Sequence, residues 1–271
     1  MTKKLNNMLN FLKKPREKLL KEGNLKKYLT YALGEIIIVV VGILLALYLN
    51  NWNQKRTNKK QEIQFYQSMK DQLNEDLNTL IGEINYNQNY LDQFSYAKKL
   101  ILLNDNSKID TLGKIVLNMV RYSDFRRKSN VYQTLVNSGE ITLINNYKIT
   151  ERLQSLEENY NYINRLEENH ATVIISQIIP AIKQVIQFDP LIIEDPGGLF
   201  SYKFQNNFDM LIDIMIEKMK AYKQAKNEIN SILKLIDQEL MSYTAIARFT
   251  RELVALLLGS NAPTLRSNRI K

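Results

Sequence analysis

His170 is the only histidine in this chain of 271 residues, and it closes the quartet Glu167-Glu-Asn-His170. On a helix, Glu-x-x-His is the spacing by which di-metal carboxylate bundles turn a carboxylate and an imidazole to one side. Those sites use two copies of the motif, and a single histidine supplies one. No cysteine is present, so thiolate chemistry, disulfides and Cys-based zinc sites are excluded. A Ser-His-acid triad would have to use His170, and no Gly-x-Ser-x-Gly turn exists to present its serine. Gly-x-Gly-x-x-Gly and P-loop patterns are also absent. The pairs Glu157-Glu158 and Glu167-Glu168 read as solvated helix faces, and His170 as a surface histidine among them. The sequence thus predicts a non-enzymatic chain with no cofactor and no metal site.

The remaining residue placed where it costs energy is Glu35. It is the single charge within Tyr28–Leu49, an otherwise apolar run of 22 residues. At about 1.5 Å per residue such a run crosses a hydrocarbon core of about 30 Å. A carboxylate at the centre of a span costs about 2.5–3.5 kcal/mol, less near an interface. Helical spacing puts Tyr31, Glu35, Gly42 and Ala46 on one face, and Gly42 and Ala46 form a small-xxx-small pair. A face of small residues with one polar group suits close helix packing and an interhelical hydrogen bond. The alternative is a Glu35 that is protonated or snorkels to the nearer headgroups. Tyr28 at one end, and Tyr48 and Trp52 at the other, fit the aromatic belts of a membrane span as interfacial anchors.

Charge gives this span a direction. Residues 1–27 contain nine Lys/Arg and two acids, leaving 28 basic and 26 acidic residues from chain totals of 37 and 28. The net charge of +9 therefore lies mostly before the span. The positive-inside rule predicts a cytoplasmic N-terminus and an outer C-terminal domain in a bacterial inner membrane, the outer side being periplasmic. A net positive charge concentrated in one short tail fits anionic lipid rather than nucleic acid. The run is longer than a signal-peptide core and lacks a small-x-small cleavage site before Trp52, so it reads as an uncleaved signal-anchor. Leu5, Met8, Leu9 and Leu12 recur at helical spacing before Pro15, which fits either a short interfacial helix or a frayed basic tail.

Beyond Trp52, Tyr66, Met69, Leu73, Leu77, Leu80, Ile84, Leu91 and Phe94 step by threes and fours once Asn87 fills the gap after Ile84, predicting a helix from about 54 to 103. Asn87 interrupts that stripe, whose apolar members do not keep a strict heptad. An antiparallel bundle is therefore predicted in preference to a self-associating coiled coil. Further helices are predicted from Asp110 to Tyr122, from Ser129 to Gly139, from Thr150 to Gln187 with a kink at Pro180, and from Asn206 to about Leu258 with a break near Lys218–Lys220. Phe188–Phe204 holds the Pro/Gly-rich loop, which either contacts a partner or covers the end of the bundle. The expected organisation is a basic cytoplasmic amphipathic segment (1–27), a transmembrane helix (28–49), an all-α extracytoplasmic bundle with a long first helix (50–258), and a flexible tail (259–271).

Two segments carry a resemblance. Lys27-Tyr-Leu-Thr-Tyr-Ala-Leu-Gly-Glu-Ile, with Asn50-Asn-Trp-Asn53 at the far end of the span, resembles an uncharacterised family of single-span proteins common in Bacteroidetes-type bacteria. Tyr132-Gln-Thr-Leu-Val-Asn-Ser-Gly-Glu-Ile-Thr-Leu-Ile144 is similar to that family's second recurring segment. The resemblance implies a membrane-anchored helical domain and transfers neither an activity nor functional residues. The partners expected from the sequence are membrane lipid and, through the span, a second copy or another membrane protein. The function expected is protein–protein interaction or scaffolding in the envelope. The alternative is an extracytoplasmic small-ligand sensor that signals through a partner membrane protein.

Overall fold

A computed structural model describes residues 25–128 and 130–257. The segment 1–24 and the tail from 258 lie outside the described residues, as do the side chains of Tyr28 and Tyr31. The expectations for the basic amphipathic segment and the flexible tail fall there.

The protein is all-α. Helix α1 runs Leu25–Leu102 without interruption. No proline occurs in that range, and no glycine between Gly42 and Gly82, so nothing in the sequence breaks it. It ends in a Schellman arrangement: Asn104 adopts a left-handed φ of 49°, its N–H meets Ile101 O, and the Asp105 N–H meets Leu100 O. The chain divides into two compact units at Gln61/Glu62. The first contains the apolar stretch, which is long and apolar enough to cross a membrane and has a mean hydropathy of 2.6.

The second unit is a bundle of α1 from Glu62 onward with α4 (Tyr147–Val173) and α7 (Tyr202–Leu257). Between α1 and α4 stand α2 (Ile109–Asn118) and α3 (Val131–Asn137). Helix α3 ends as expected, with Ser138 as cap and Gly139 in the left-handed region at φ 73°. Beyond α4 come α5 (Ile179–Lys183), a short antiparallel ribbon of β1 (Ile186–Gln187) and β2 (Ile192–Ile193), and α6 (Pro196–Leu199). Pro180 does more than kink a helix. It follows a π turn at Ile174–Ile178, which absorbs the register change at the residue without an N–H.

Helix α7 runs antiparallel to α1, since Lys70 pairs with Asp237 and Lys98 with Asp209. It is antiparallel to α4 as well, with Arg152 on Glu228 and His170 beside Lys218. Helices α1 and α4 run parallel, because segment 119–146 carries the chain back along α1. The break expected near Lys218–Lys220 does not occur: α7 is continuous, and its inward positions Phe208, Leu211, Met215, Lys218, Tyr222, Ala225 and Ile229 alternate steps of three and four. A buried lysine stands on the inward face where a break was expected, and the helix passes through it.

The buried apolar side chains form two clusters. One gathers Tyr66, Leu73, Leu80, Leu156, Ile163, Ile229 and Ile236. The other gathers Phe94, Leu112, Val116, Ile178, Leu199, Phe208 and Met215. Leu199 and Phe204 of the Pro/Gly-rich region are buried in the second cluster, so that region covers an end of the bundle. Ile193 of its ribbon sits so close to α2 that a Cβ at Gly113 would lie 2.9 Å from the isoleucine Cδ1.

Candidate functional site

Between the two apolar clusters lies a polar layer. Its members come from three helices and one extended segment: Asn87 from α1, Glu167 and His170 from α4, Lys218 and Tyr222 from α7, and Ser123 from segment 119–130. All are buried, and Asn87, His170 and Lys218 are 0 % exposed. Their positions follow from helical phase. The inward face of α4 runs Leu153, Leu156, Tyr160, Ile163, Glu167 and His170, again by threes and fours. His170 is therefore an interior residue, which corrects the expectation of a surface histidine. Glu167 is likewise buried, and Glu157 pairs with Arg127. Only Glu158 and Glu168 of the two acidic pairs are exposed.

The layer is closely bonded. Lys218 Nζ donates to the Ser123 carbonyl at 2.6 Å and lies 3.4 Å from His170 Nδ1. The Tyr222 hydroxyl lies against Glu167 Oε1 and 3.0 Å from Ser123 Oγ. Glu167 Oε1 also accepts the Phe125 N–H at 2.8 Å. Asn87 Nδ2 donates to the Met215 carbonyl at 2.8 Å, and its Oδ1 accepts from Ser123 Oγ at 3.3 Å. The Tyr122 ring faces both His170 and the lysine ammonium. His170 Nε2 meets no hydrogen-bond partner among the described residues.

Electrostatics follow from the enclosure. Burial lowers the Lys218 amine to about 8, against the upward pull of Glu167, Glu83 and Asp124. Burial, then the Lys218 charge, lowers His170 to about 3. Burial raises the Glu167 carboxyl, opposed by its bonds from Phe125 and Tyr222 and by Lys218. Burial and the Glu167 charge raise the Tyr222 phenol. A lysine amine lowered toward neutrality beside a carboxylate and a phenol has the composition of a Schiff-base or proton-transfer site. Here the ammonium is enclosed, and its bonds go to a backbone carbonyl and a ring nitrogen of its own chain.

The same device recurs along α1. Asp76 accepts the Lys128 N–H at 2.6 Å and the Tyr160 hydroxyl at 2.9 Å. Glu62 accepts the Asn145 N–H at 2.9 Å, together with the hydroxyls of Tyr66 and Tyr243. Glu83 accepts the Asp124 N–H at 3.3 Å. Gln93 accepts from Asn118 Nδ2. Read down α1, residues 93, 87, 83, 76 and 62 meet residues 118, 123, 124, 128 and 145 in order. Outside α3 the returning segment is thus a strap, and side chains meet the N–H groups of Asp124, Phe125, Lys128 and Asn145, which no sheet or helix satisfies.

The match to a family model spans residues 35–172, just over half of the chain, and includes the strap and every α1 and α4 residue that binds it. The chain belongs to the DUF6090 family, a family of unknown function. Lys218 and Tyr222 lie beyond the part of the DUF6090 chain that the model matches. Neither a curated protein nor a solved structure matches the sequence.

Of the predicted span residues, Glu35, Gly42 and Ala46 are exposed on α1, and a Cβ added at Gly42 would meet open space. Tyr48 and Trp52 are exposed farther along the same helix. In the bundle, Lys70 with Asp237, Leu240, Met241, Thr244, Ala245 and Arg248 lines a solvent-open groove of about 540 Å³. Sequence reasoning placed Asn87 in the α1 stripe and took Lys218 for a break in α7, but it read neither as a buried bonding partner because it scored only apolar residues. The available signal was their place on the inward phase of otherwise apolar stripes.

Proposed function

We propose that this protein is a single-pass, membrane-anchored helical module of the bacterial envelope that acts through protein–protein contact. Residues 1–27 lie in the cytoplasm and the bundle in the periplasm. The observation that carries this reading is the bare apolar stretch of α1. Its side chains are uncovered from Leu33 to Trp52, and Glu35, Gly42 and Ala46 share one open face. A non-catalytic role is supported by the polar layer, whose amine, carboxylate and hydroxyls bind the protein's own strap. The test is purification of the full chain from membranes in mild detergent. An integral protein resists carbonate extraction and carries a defined partner or a second copy, reduced in a Glu35→Ala, Gly42→Leu variant. Release by carbonate would refute the anchor, and an unchanged set of companions would refute the packing face.

A second reading, the small-ligand sensor, is favoured by the groove beside Lys70 and Arg248. A ligand bound there would raise the melting temperature by mass action, and Arg248→Gln would abolish that rise.

A further inference from the structure

Helix α7 outlasts the core that it packs on. Among the described residues, Tyr243 is the last of this helix bonded into the bundle, through Glu62 and a stack on Tyr66. The helix continues to Leu257, about 21 Å farther. Along this extension Ile246, Phe249, Leu253, Leu256 and Leu257 follow one another by steps of seven or less on one face, and they remain 46–80 % exposed. Thr244, Arg248 and Arg251 occupy the opposite arc. Such a helix, apolar on one side and basic on the other, has the composition of one that lies in a bilayer interface.

Two observations identify the occupant of the uncovered face. Charge is the first: residues 241–271 hold Arg248, Arg251, Arg266, Arg269 and Lys271 against the single acid Glu252, which suits anionic headgroups. Chain continuity is the second. Glu62, which anchors Tyr243, is the first residue of the bundle unit. Only the segment from 50 to 61 separates it from the apolar stretch, a reach of at most about 45 Å even if fully extended. A bilayer crossed by α1 is therefore held within range at high effective concentration.

We propose that residues 244–257 of α7 form a second membrane contact, an interfacial helix that seats Phe249, Leu253 and Leu256 among the acyl chains of an anionic bilayer. The proposal rests on the anchored reading above. It makes the bundle a two-point attachment rather than a body on a single tether.

The absence of cysteine allows single-site labelling of the full chain. Leu44→Cys, Phe249→Cys and Thr244→Cys variants carry an environment-sensitive fluorophore in vesicles of phosphatidylcholine and phosphatidylglycerol, with and without spin-labelled lipid. The expected result is quenching by at least twofold at positions 44 and 249 and little at 244. Quenching at 249 should be weaker in phosphatidylcholine alone. Quenching at 44 without quenching at 249 would overturn the docking and leave the anchor standing. No quenching at 44 would overturn both. A shielded, unquenched label at 249 that becomes solvated on dilution of protein in lipid would identify a second copy as the occupant and overturn the lipid assignment.

Discussion

Lys218 Nζ lies 3.4 Å from His170 Nδ1, and this contact sets the histidine tautomer. An ammonium is donor only, so Nδ1 accepts and the ring proton sits on Nε2. That N–H is buried with no partner among the described residues. An unsatisfied buried donor costs about 1–3 kcal/mol. The polar layer thus tolerates one orphaned group while satisfying the backbone of the strap.

Removing the lysine should unlock that layer. Lys218→Ala leaves the Ser123 carbonyl buried without its donor. An unsatisfied buried acceptor costs about 1–3 kcal/mol. Chemical denaturation of the variant should show a loss of that order, and a change under about 1 kcal/mol would contradict the assignment.

Stability should depend on pH through His170. Its folded pKa is lowered from 6.5 to about 3, so between these values the unfolded chain binds more protons. The His170 contribution is then complete above about pH 6.5, and stability falls toward pH 3 by at most about 1.4 kcal/mol per unit. The raised Glu167 carboxyl acts in the opposite sense, because its folded form retains a proton at higher pH. His170→Gln should flatten the acid side of the profile, and an unchanged slope would exclude His170 as its source. Lys218, lowered from 10.5 to about 8, adds a rise in stability from about pH 8 to 10.5, which Lys218→Ala should remove.

Much of this fold is readable in the sequence because apolar stripes at steps of three and four mark α1, α4 and α7. What is hard to read is the interruptions. Glu62, Asp76 and Asn87 continue the inward phase of Tyr66, Met69, Leu73, Leu80 and Phe94, so the regular alternation is complete only when the polar members are counted. Lys218 produced an expected break in α7, and His170 an expected surface site, for the same reason. A polar residue on an inward face stays there when a backbone group needs it, and the strap that supplies those groups has no periodicity of its own. The span face differs, because Glu35 is legible from its composition alone.

The strap should detach locally before the bundle unfolds. Asp76→Ala removes the acceptor of the Lys128 N–H and of the Tyr160 hydroxyl. Hydrogen exchange at the Lys128 amide should accelerate by about tenfold for each 1.4 kcal/mol lost. Amides in the centre of α7 should change less, and uniform acceleration would mean that the strap is no separate unit.

Tyr222 and Glu167 should be coupled. Tyr222→Phe and Glu167→Gln each remove one side of their bond, and the double variant should lose less than the sum of the singles. An interaction of about 0.5–3 kcal/mol is expected for directly bonded buried groups. Strict additivity in a double-mutant cycle would show that the contact contributes nothing to stability.

Photo-crosslinking from the span tests the anchored, packing reading most directly. The full chain in native membranes carries a photoreactive group on Gly42→Cys or on Leu44→Cys, which lie on opposite faces of α1. The account predicts a discrete crosslinked protein from position 42 and only lipid adducts from position 44. Lipid adducts alone from both positions, or the same crosslinked proteins from both, would contradict it.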